Sequence, residues 1–447
     1  MSATNPIRFP DLRSRQSMTT RAWWLVVLNL LLPGSVQLLA GSRRLGRFGV
    51  VMTFIMWALV VLGATIYFVN RSILVALATN VYALLAAEIV LIAYAVLWLV
   101  LTLDTLRLVR LVKIGPVARP FIAVLTIAGL VATAGAAAYG ANVADVARST
   151  ISAVFDSGEY QEPVDGRYNV LLLGGDAGPD RMGLRPDSIS VASVDAETGD
   201  TTLIGIPRNL EFVPFAADSP LYGPFPNGYD CGDECLISYL YTYGQEHPEL
   251  YPEAEQNGSQ PGIEAMRDAV SGVVGLELQY YVLIDMQGFD DLIDALGGVV
   301  IDVKERQPIG GQEDAFGQPI NVEGWVEAGE QRLGGWAALW YARARHGTND
   351  YDRMQRQRDV QEAILRQFEP ANVVTKFREV ADAGRQVVTT DIPSVMLGLF
   401  VDLADKSRDL PLTRLELSPP EFDPVNPDFD HIRARVQESF VRSTPPE

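Results

Sequence analysis

The sequence predicts a helical transmembrane region followed by an extracytoplasmic α/β domain, layered α/β/α around a central mixed sheet. Three observations carry this. Apolar residues are concentrated in the first 141 of 447 positions. From Tyr168 onward, apolar runs of strand length alternate with amphipathic helical patterns, the signature of a layered α/β domain. Acidic residues dominate from Asp145 on, in a chain of net charge -19 and pI near 4.6. So acidic a chain lacks the basic face of a nucleic-acid binder, although a local basic cleft remains compatible with it.

Residues 1–22 read as a cytoplasmic tail and 23–141 as the membrane region. Residues 48–69 carry no charge, 81–103 carry only Glu88, and 121–141 are apolar and rich in small residues. Each is long enough to cross a bilayer. An earlier apolar segment, 23–40, is broken by Pro33-Gly34. Arg43, Arg44 and Arg47 precede the span at 48–69, and Arg107, Arg110, Lys113 and Arg119 lie between the last two spans. Basic clusters stay in the cytoplasm, so the chain beyond residue 141 emerges outside. If segment 23–40 also spans, Arg8, Arg13, Arg15 and Arg21 lie outside. If it is a re-entrant or interfacial hairpin turning at Pro33-Gly34, every basic cluster lies inside, which favours the hairpin. Three further apolar segments follow it, so a cleaved signal peptide is not expected.

Residues 142–164 read as a linker and 165–447 as the external domain. Residues 170–173 form a buried strand, and 188–194 with 201–206 form a hairpin around "DAETGD". A helix over 261–276 starts at Pro261; a strand at 280–285, a helix at 288–296 and a strand at 299–304 follow.

Three stretches can carry chemistry. In "WYARARHGTNDYDRMQRQRDV", Arg343 and Arg345 alternate along a segment read as extended, so both point one way. Asn349 or Asp350 caps a helix on which Arg353 and Arg356 share a face. Guanidinium forks converging there suit phosphate oxygens; the alternative is a solvated face with an Asp352–Arg356 ion pair. In "LLLGGDAGPDRMGLRPDSIS", a buried strand ends at Asp176, and a loop brings Arg181, Arg185 and Asp187 to the next strand. Carboxylates at strand ends are hard-metal ligands, or else caps of a glycine-rich turn. In "IGIPRNLEFVPF", a buried strand runs into Arg208 and Asn209, and an arginine there needs an anion, whether ligand or structural partner. Strand ends are where open α/β sheets bind ligands, so together the stretches point to a polyanion site, metal-bridged.

No P-loop and no G-x-S-x-G is present. His247, His346 and His431 are too scattered for a zinc site. Cys231 and Cys235, the only cysteines, read as a short-loop disulfide in an external domain.

The order "YNVLLLGGDAG…RPDSISVASVDAETGDTTLIGIPRN", "YYVLIDMQGFDDLIDALGGVVIDV", "GEQRLGGWAALWYARARHGTNDYDRMQRQRDVQEAIL" resembles the LytR-CpsA-Psr family, of actinobacterial type by its cysteine loop and multi-pass N-terminus. The resemblance covers about residues 168–368. It implies a membrane-anchored phosphotransferase that moves a glycopolymer from a polyprenyl-pyrophosphate carrier to peptidoglycan, forming a phosphodiester. Arg208, Arg345, Asp350 and Arg353 would then be catalytic. Arg185, Arg208, Arg343, Arg345, Arg353, Arg356 and Gln357 would hold the pyrophosphate. Asp187 and Asn209 would hold Mg²⁺. The family's "PRD" is "PRN" here, so Asn209 stands where a carboxylate is usual, and "CLISYLY" occupies the place of the family's "KIN". With water as acceptor the same site is a polyprenyl-pyrophosphate hydrolase; without metal it is a non-catalytic wall-polymer binding protein.

Overall fold

The computed structural model describes residues 7–8, 10–69, 71–155, 158–176, 185–232, 235–314, 318–344, 349–367 and 388–441. It divides into two units, Met1–Arg148 and Ser149–Glu447.

In the first unit, segment 23–40 is split between helices α1 (Arg15–Leu31) and α2 (Ser35–Ala40). Pro33 cannot donate to a helix, and Gly34 takes a left-handed φ of 93°. Helices α3 (Arg43–Val69), α4 (Arg71–Thr79), α5 (Val81–Val109) and α6 (Ala118–Phe155) follow. Helices α3 and α6, and the helical stretch Val81–Lys113 that contains α5, are long and apolar enough to cross a membrane. A Cβ at Gly34 would sit 2.8 Å from Gly46 O, so the break rests directly on the backbone of α3, the close approach that small residues permit. A buried polar network ties α1 and α2 to α5: Asn29 Nδ2 donates to Thr102 Oγ1 (3.3 Å), Thr105 Oγ1 to Asn29 Oδ1 (3.0 Å), and Gln37 Nε2 to Leu101 O (2.9 Å). The stretch expected as a linker from residue 142 is helical as far as Phe155, because no glycine or proline between Gly140 and Gly158 stops α6.

The second unit contains β1 (Arg167–Asp176), β2 (Arg185–Asp195), β3 (Thr201–Ile206), α7 (Leu240–Glu246), α8 (Pro261–Val274), β4 (Tyr280–Asp285), α9 (Met286–Leu296) and β5 (Val299–Val303). Short strands β6 (Gln307–Ile309), β7 (Gln312–Glu313), β8 (Pro319–Ile320) and β9 (Gly324–Val326) pair among themselves. Then come β10 (Gly329–Leu333), α10 (Gly335–Arg343), α11 (Asp350–Gln367), β11 (Val388–Thr390), α12 (Leu397–Arg408), β12 (Thr413–Glu416) and α13 (Phe429–Ser439).

The main sheet has the order β11-β4-β1-β2-β3-β12. It is mixed: β1–β4 and β3–β12 are parallel, while β1–β2, β2–β3 and β4–β11 are antiparallel. Alternation of side chains assigns its faces. Leu171, Leu173, Ile189, Val191, Ile204 and Ile206 pack with Ile263, Met266, Val270 and Val273 of α8. Val170, Leu172, Ala192, Val194 and Leu203 face α11 and α12 across a cavity. The layered α/β/α reading is therefore correct. Because β1–β2 and β2–β3 are antiparallel, one end of the sheet collects Gly174, Asp187 and Arg208.

One local expectation is overturned. Arg343 ends a helix instead of lying on an extended segment, because Gly335, Ala338, Leu339 and Ala342 recur at helical spacing and are all buried. The Cys231–Cys235 disulfide is formed, with Cα atoms 5.3 Å apart.

Candidate functional site

At the end of the sheet where β1 and β3 finish and β2 begins, three elements meet at Arg208. This residue follows β3 in the turn after Pro207. Its Nη1 donates to Asp187 Oδ1 of β2 at 2.6 Å, and its Nε to Asp350 Oδ2 in the first turn of α11 at 2.9 Å. Arg208 is about a third exposed, so the cluster faces solvent. Burial works against its charge, but Asp187 and then Asp350 outweigh burial and raise its pKa above the usual guanidinium value.

The start of α11 is fixed by a reciprocal cap. Asp352 N donates to Asn349 Oδ1 (2.9 Å), and Asn349 N donates to Asp352 Oδ2 (3.2 Å). This sets the register of the arginines that follow. Arg353 is buried, with Nη2 3.6 Å from Asp350 Oδ1. Arg356 is also buried and donates to Tyr341 O (3.1 Å) and to Ala344 O, so its guanidinium holds the end of α10. Burial lowers its pKa. Arg343 is exposed at the last position of α10. Asn209 is half-buried in the turn after Arg208, and among the described residues no hydrogen bond engages its side chain. Arg345 and His346, like Arg181, lie outside the described residues, as does the side chain of Arg185.

Behind the cluster, between the sheet and helices α11 and α12, lies an apolar cavity of about 370 Å³. Gly174 and Ser188 line it at the Arg208 end, Ser188 being the neighbour of Asp187. Gln357 also lines it, and its Oε1 is buried without a hydrogen-bond partner among the described residues. Val360 and Ile364 continue along α11, and Phe400, Leu403, Ala404 and Ser407 of α12 line the far part. The cavity was not foreseen from the sequence. Its signal is the small residues on one face of β2, Ser188, Ser190 and Ala192, opposite Ile189 and Val191.

Sequence spacing also gives Arg358 no distinguishing mark. It is fully buried, donates to Ile189 O (3.2 Å) and lies 3.4 Å from Glu416 Oε1. Burial lowers its pKa and raises that of Glu416, whose shift Arg358 opposes. This pair pins α11 to β2 and β12.

For a divalent cation, the cluster offers hard oxygen donors. The Asp187 and Asp350 carboxylates come from different elements and converge on one guanidinium, with the Asn209 amide adjacent. Among the described residues no group of three or more His, Cys, Asp or Glu side chains could hold a metal. A cation held here would take most of its shell from waters and substrate oxygens, a mode of binding that Mg²⁺ tolerates. The site thus combines a guanidinium that keeps its charge, oxygen donors beside it and an apolar slot behind it.

Residues 132–416 match the LytR_cpsA_psr family. The regulatory protein MsrR of Staphylococcus aureus (strain COL) is 27% identical over 238 residues, 53% of this chain and 60% of that protein. The polyisoprenyl-teichoic acid–peptidoglycan teichoic acid transferase TagU of Halalkalibacterium halodurans is 26% identical over 227 residues, 50% of this chain and 61% of that protein. The chain thus spans about 60% of the length of these curated relatives. The crystal structure of B. subtilis TagV is 22% identical with a TM-score of 0.44, covering 62% of this chain and 98% of that one. With the family match extending over more than half of its length, the chain belongs to the LytR_cpsA_psr family.

Proposed function

We propose that this protein is a membrane-anchored phosphotransferase that moves a glycopolymer from a polyprenyl-pyrophosphate carrier to peptidoglycan. The observation that carries this reading is the apolar cavity ending beside the Asp187–Arg208–Asp350 cluster. A lipid chain suits the first and a pyrophosphate the second. The name of the TagU relative, a polyisoprenyl-teichoic acid–peptidoglycan transferase, supports the same donor and acceptor classes.

In this reading the acceptor hydroxyl oxygen attacks the phosphorus that carries the glycan. The bond from that phosphorus to the bridging oxygen breaks, polyprenyl phosphate leaves, and a phosphodiester remains. Asp350 takes the acceptor proton. Arg208 and Arg353, with Arg343, Arg345 and Arg185, balance charge on the transferred and leaving phosphates, where stabilisation counts most in such reactions. Arg356, bonded to the carbonyls of α10, holds that helix against α11 and so positions the other arginines. Asp187 and Asn209 would hold Mg²⁺, which supplies further charge neutralisation. Helices α3, α5 and α6 would anchor the chain, with the N-terminus cytoplasmic and the domain outside.

The test is to incubate the full chain, in detergent, with phosphorus-labelled polyprenyl-pyrophosphate glycan, with and without peptidoglycan fragments. A phosphodiester product together with polyprenyl phosphate is expected only with acceptor. Equal release of phosphorylated glycan without acceptor would make the protein a hydrolase. Binding without turnover would make it a wall-polymer binding protein.

A further inference from the structure

Among the described residues, a braced wall bounds the end of the cavity away from Arg208. There β2 and β3 meet in a turn whose Asp195 carboxylate accepts hydrogen bonds from Thr198 N (2.8 Å) and Glu197 N (3.1 Å). Gly199 in this turn has φ +76°, and a Cβ there would come within 2.8 Å of Leu403 O and Lys406 Cβ, so the turn packs against the last turns of α12. Lys406 Nζ donates to Glu197 O (3.1 Å) across the same contact. Thr201 Oγ1 and Ser407 Oγ lie 2.7 Å apart; both residues are buried and both line the cavity. Phe400, Ala404 and Ser407 are spaced along one face of α12. The Phe400 ring is set edge-on to Tyr168 and Tyr280, with centroids 5.4 and 5.8 Å apart.

The slot has a length that the strands measure. Ser188 opens it beside Asp187, and Val194, paired with Thr201, lies at the wall. From Ser188 to Val194 a strand covers about 20 Å at roughly 3.3 Å per residue.

We propose that this wall, with Phe400, Ala404 and Ser407 as its surface, is a chain-length gauge that sets how much of a prenyl chain the site accepts. The inference rests on reading the cavity as the carrier's lipid slot. Each methylene buried along the slot adds to binding until the chain meets the Thr201–Ser407 hydroxyls. Beyond that point more chain gains nothing, because the turn behind them is held by its own hydrogen bonds and does not yield without overpacking. Affinity therefore climbs with isoprene number and then stops climbing.

The experiment measures binding of dimethylallyl, geranyl, farnesyl and geranylgeranyl diphosphates to the full chain in detergent. The wild-type protein should gain about tenfold or more per added unit until the slot fills. Ala404→Phe should leave dimethylallyl diphosphate binding unchanged and weaken geranylgeranyl diphosphate by about tenfold, bringing the plateau to shorter chains. Phe400→Ala should move the plateau to longer chains. An unchanged length profile in both variants, or a loss equal at every length, overturns the gauge while leaving the lipid slot standing. A wild-type affinity independent of chain length, with inorganic pyrophosphate still bound, overturns the lipid-slot reading and the gauge with it.

Discussion

Arg208 Nη1 lies 2.6 Å from Asp187 Oδ1, an ion pair between the turn after β3 and the first residues of β2. Both side chains are partly exposed, so solvent screens the pair and its worth to stability is small. Its consequence is orientation: with Nε bonded to Asp350, the guanidinium plane is fixed before any anion arrives.

Arg208→Ala should therefore cost function far more than fold. Turnover and pyrophosphate affinity are expected to drop by about a hundredfold, the scale of losing one preorganised charge donor. The unfolding midpoint should barely move. Arg208→Lys should restore little, because an ammonium cannot bridge two carboxylates in one plane. Unfolding of Arg208→Ala with normal activity in its folded fraction would make this arginine structural.

Arg358 should behave in the opposite way. It is buried against Glu416, and a Cβ at Gly205 would overlap Glu416 Oε2, so the surroundings are already full. Arg358→Met leaves a buried carboxylate without its partner and should destabilise the domain by about 3 kcal/mol in denaturant titrations. Pyrophosphate binding per folded molecule should stay near wild type. A variant as stable as wild type would mean that the pair contributes no net stability.

The sequence made some of this legible and hid the rest for physical reasons. Strands at 170–173 and 203–206 showed because burial on both faces leaves runs without a charged residue, and an arginine one residue past such a run implied an anion at Arg208. Arg353, Arg356 and Arg358 could not be sorted by spacing, because α11 is buried on most sides. What each reaches depends on elements distant in sequence: Tyr341 O for Arg356, Glu416 for Arg358. Arginines at the alternate positions 343 and 345 mimic a strand pattern, whereas Ala338, Leu339 and Ala342 set a helix. The cavity is space between the sheet and helices α11 and α12, and no local pattern encodes the contact of β3 with α12 at Thr201 and Ser407.

Asp268 of α8 offers a pH test away from the site. It accepts hydrogen bonds from Ser219 Oγ (2.5 Å) and Tyr251 OH (2.7 Å). Burial nonetheless raises its pKa above the ordinary value of 3.8. A raised carboxyl pKa means that the folded state holds the proton more tightly than the unfolded chain. Its contribution is thus fully present below that ordinary value and is lost as pH rises through the raised pKa. The stability advantage of wild type over Asp268→Asn should therefore shrink as pH rises from about 3 and level off once the carboxyl has ionised. Denaturant midpoints of both proteins across that range provide the check; an advantage that grows with pH would contradict the assignment.

On the proposed reading, Asn209 would decide how a cation is held. It adjoins Arg208, and its side chain makes no hydrogen bond among the described residues, so it is available to a ligand. An amide oxygen carries no net charge and binds Mg²⁺ more weakly than a carboxylate. On that reading Asp187 would provide the anionic ligand beside it, and Asp187→Asn should abolish Mg²⁺ binding in a titration of the full chain. Asn209→Asp adds a second negative charge and should tighten Mg²⁺ by about tenfold. It need not raise turnover, since tighter ground-state binding does not by itself lower a barrier. If Asn209 instead donates its amide N–H to a phosphate oxygen, the new carboxylate would repel the substrate. Titrations of both variants with Mg²⁺ and with inorganic pyrophosphate, separately and together, distinguish the two. Unchanged Mg²⁺ affinity in Asn209→Asp, with weakened pyrophosphate binding, would make this residue a phosphate ligand and leave the cation to Asp187.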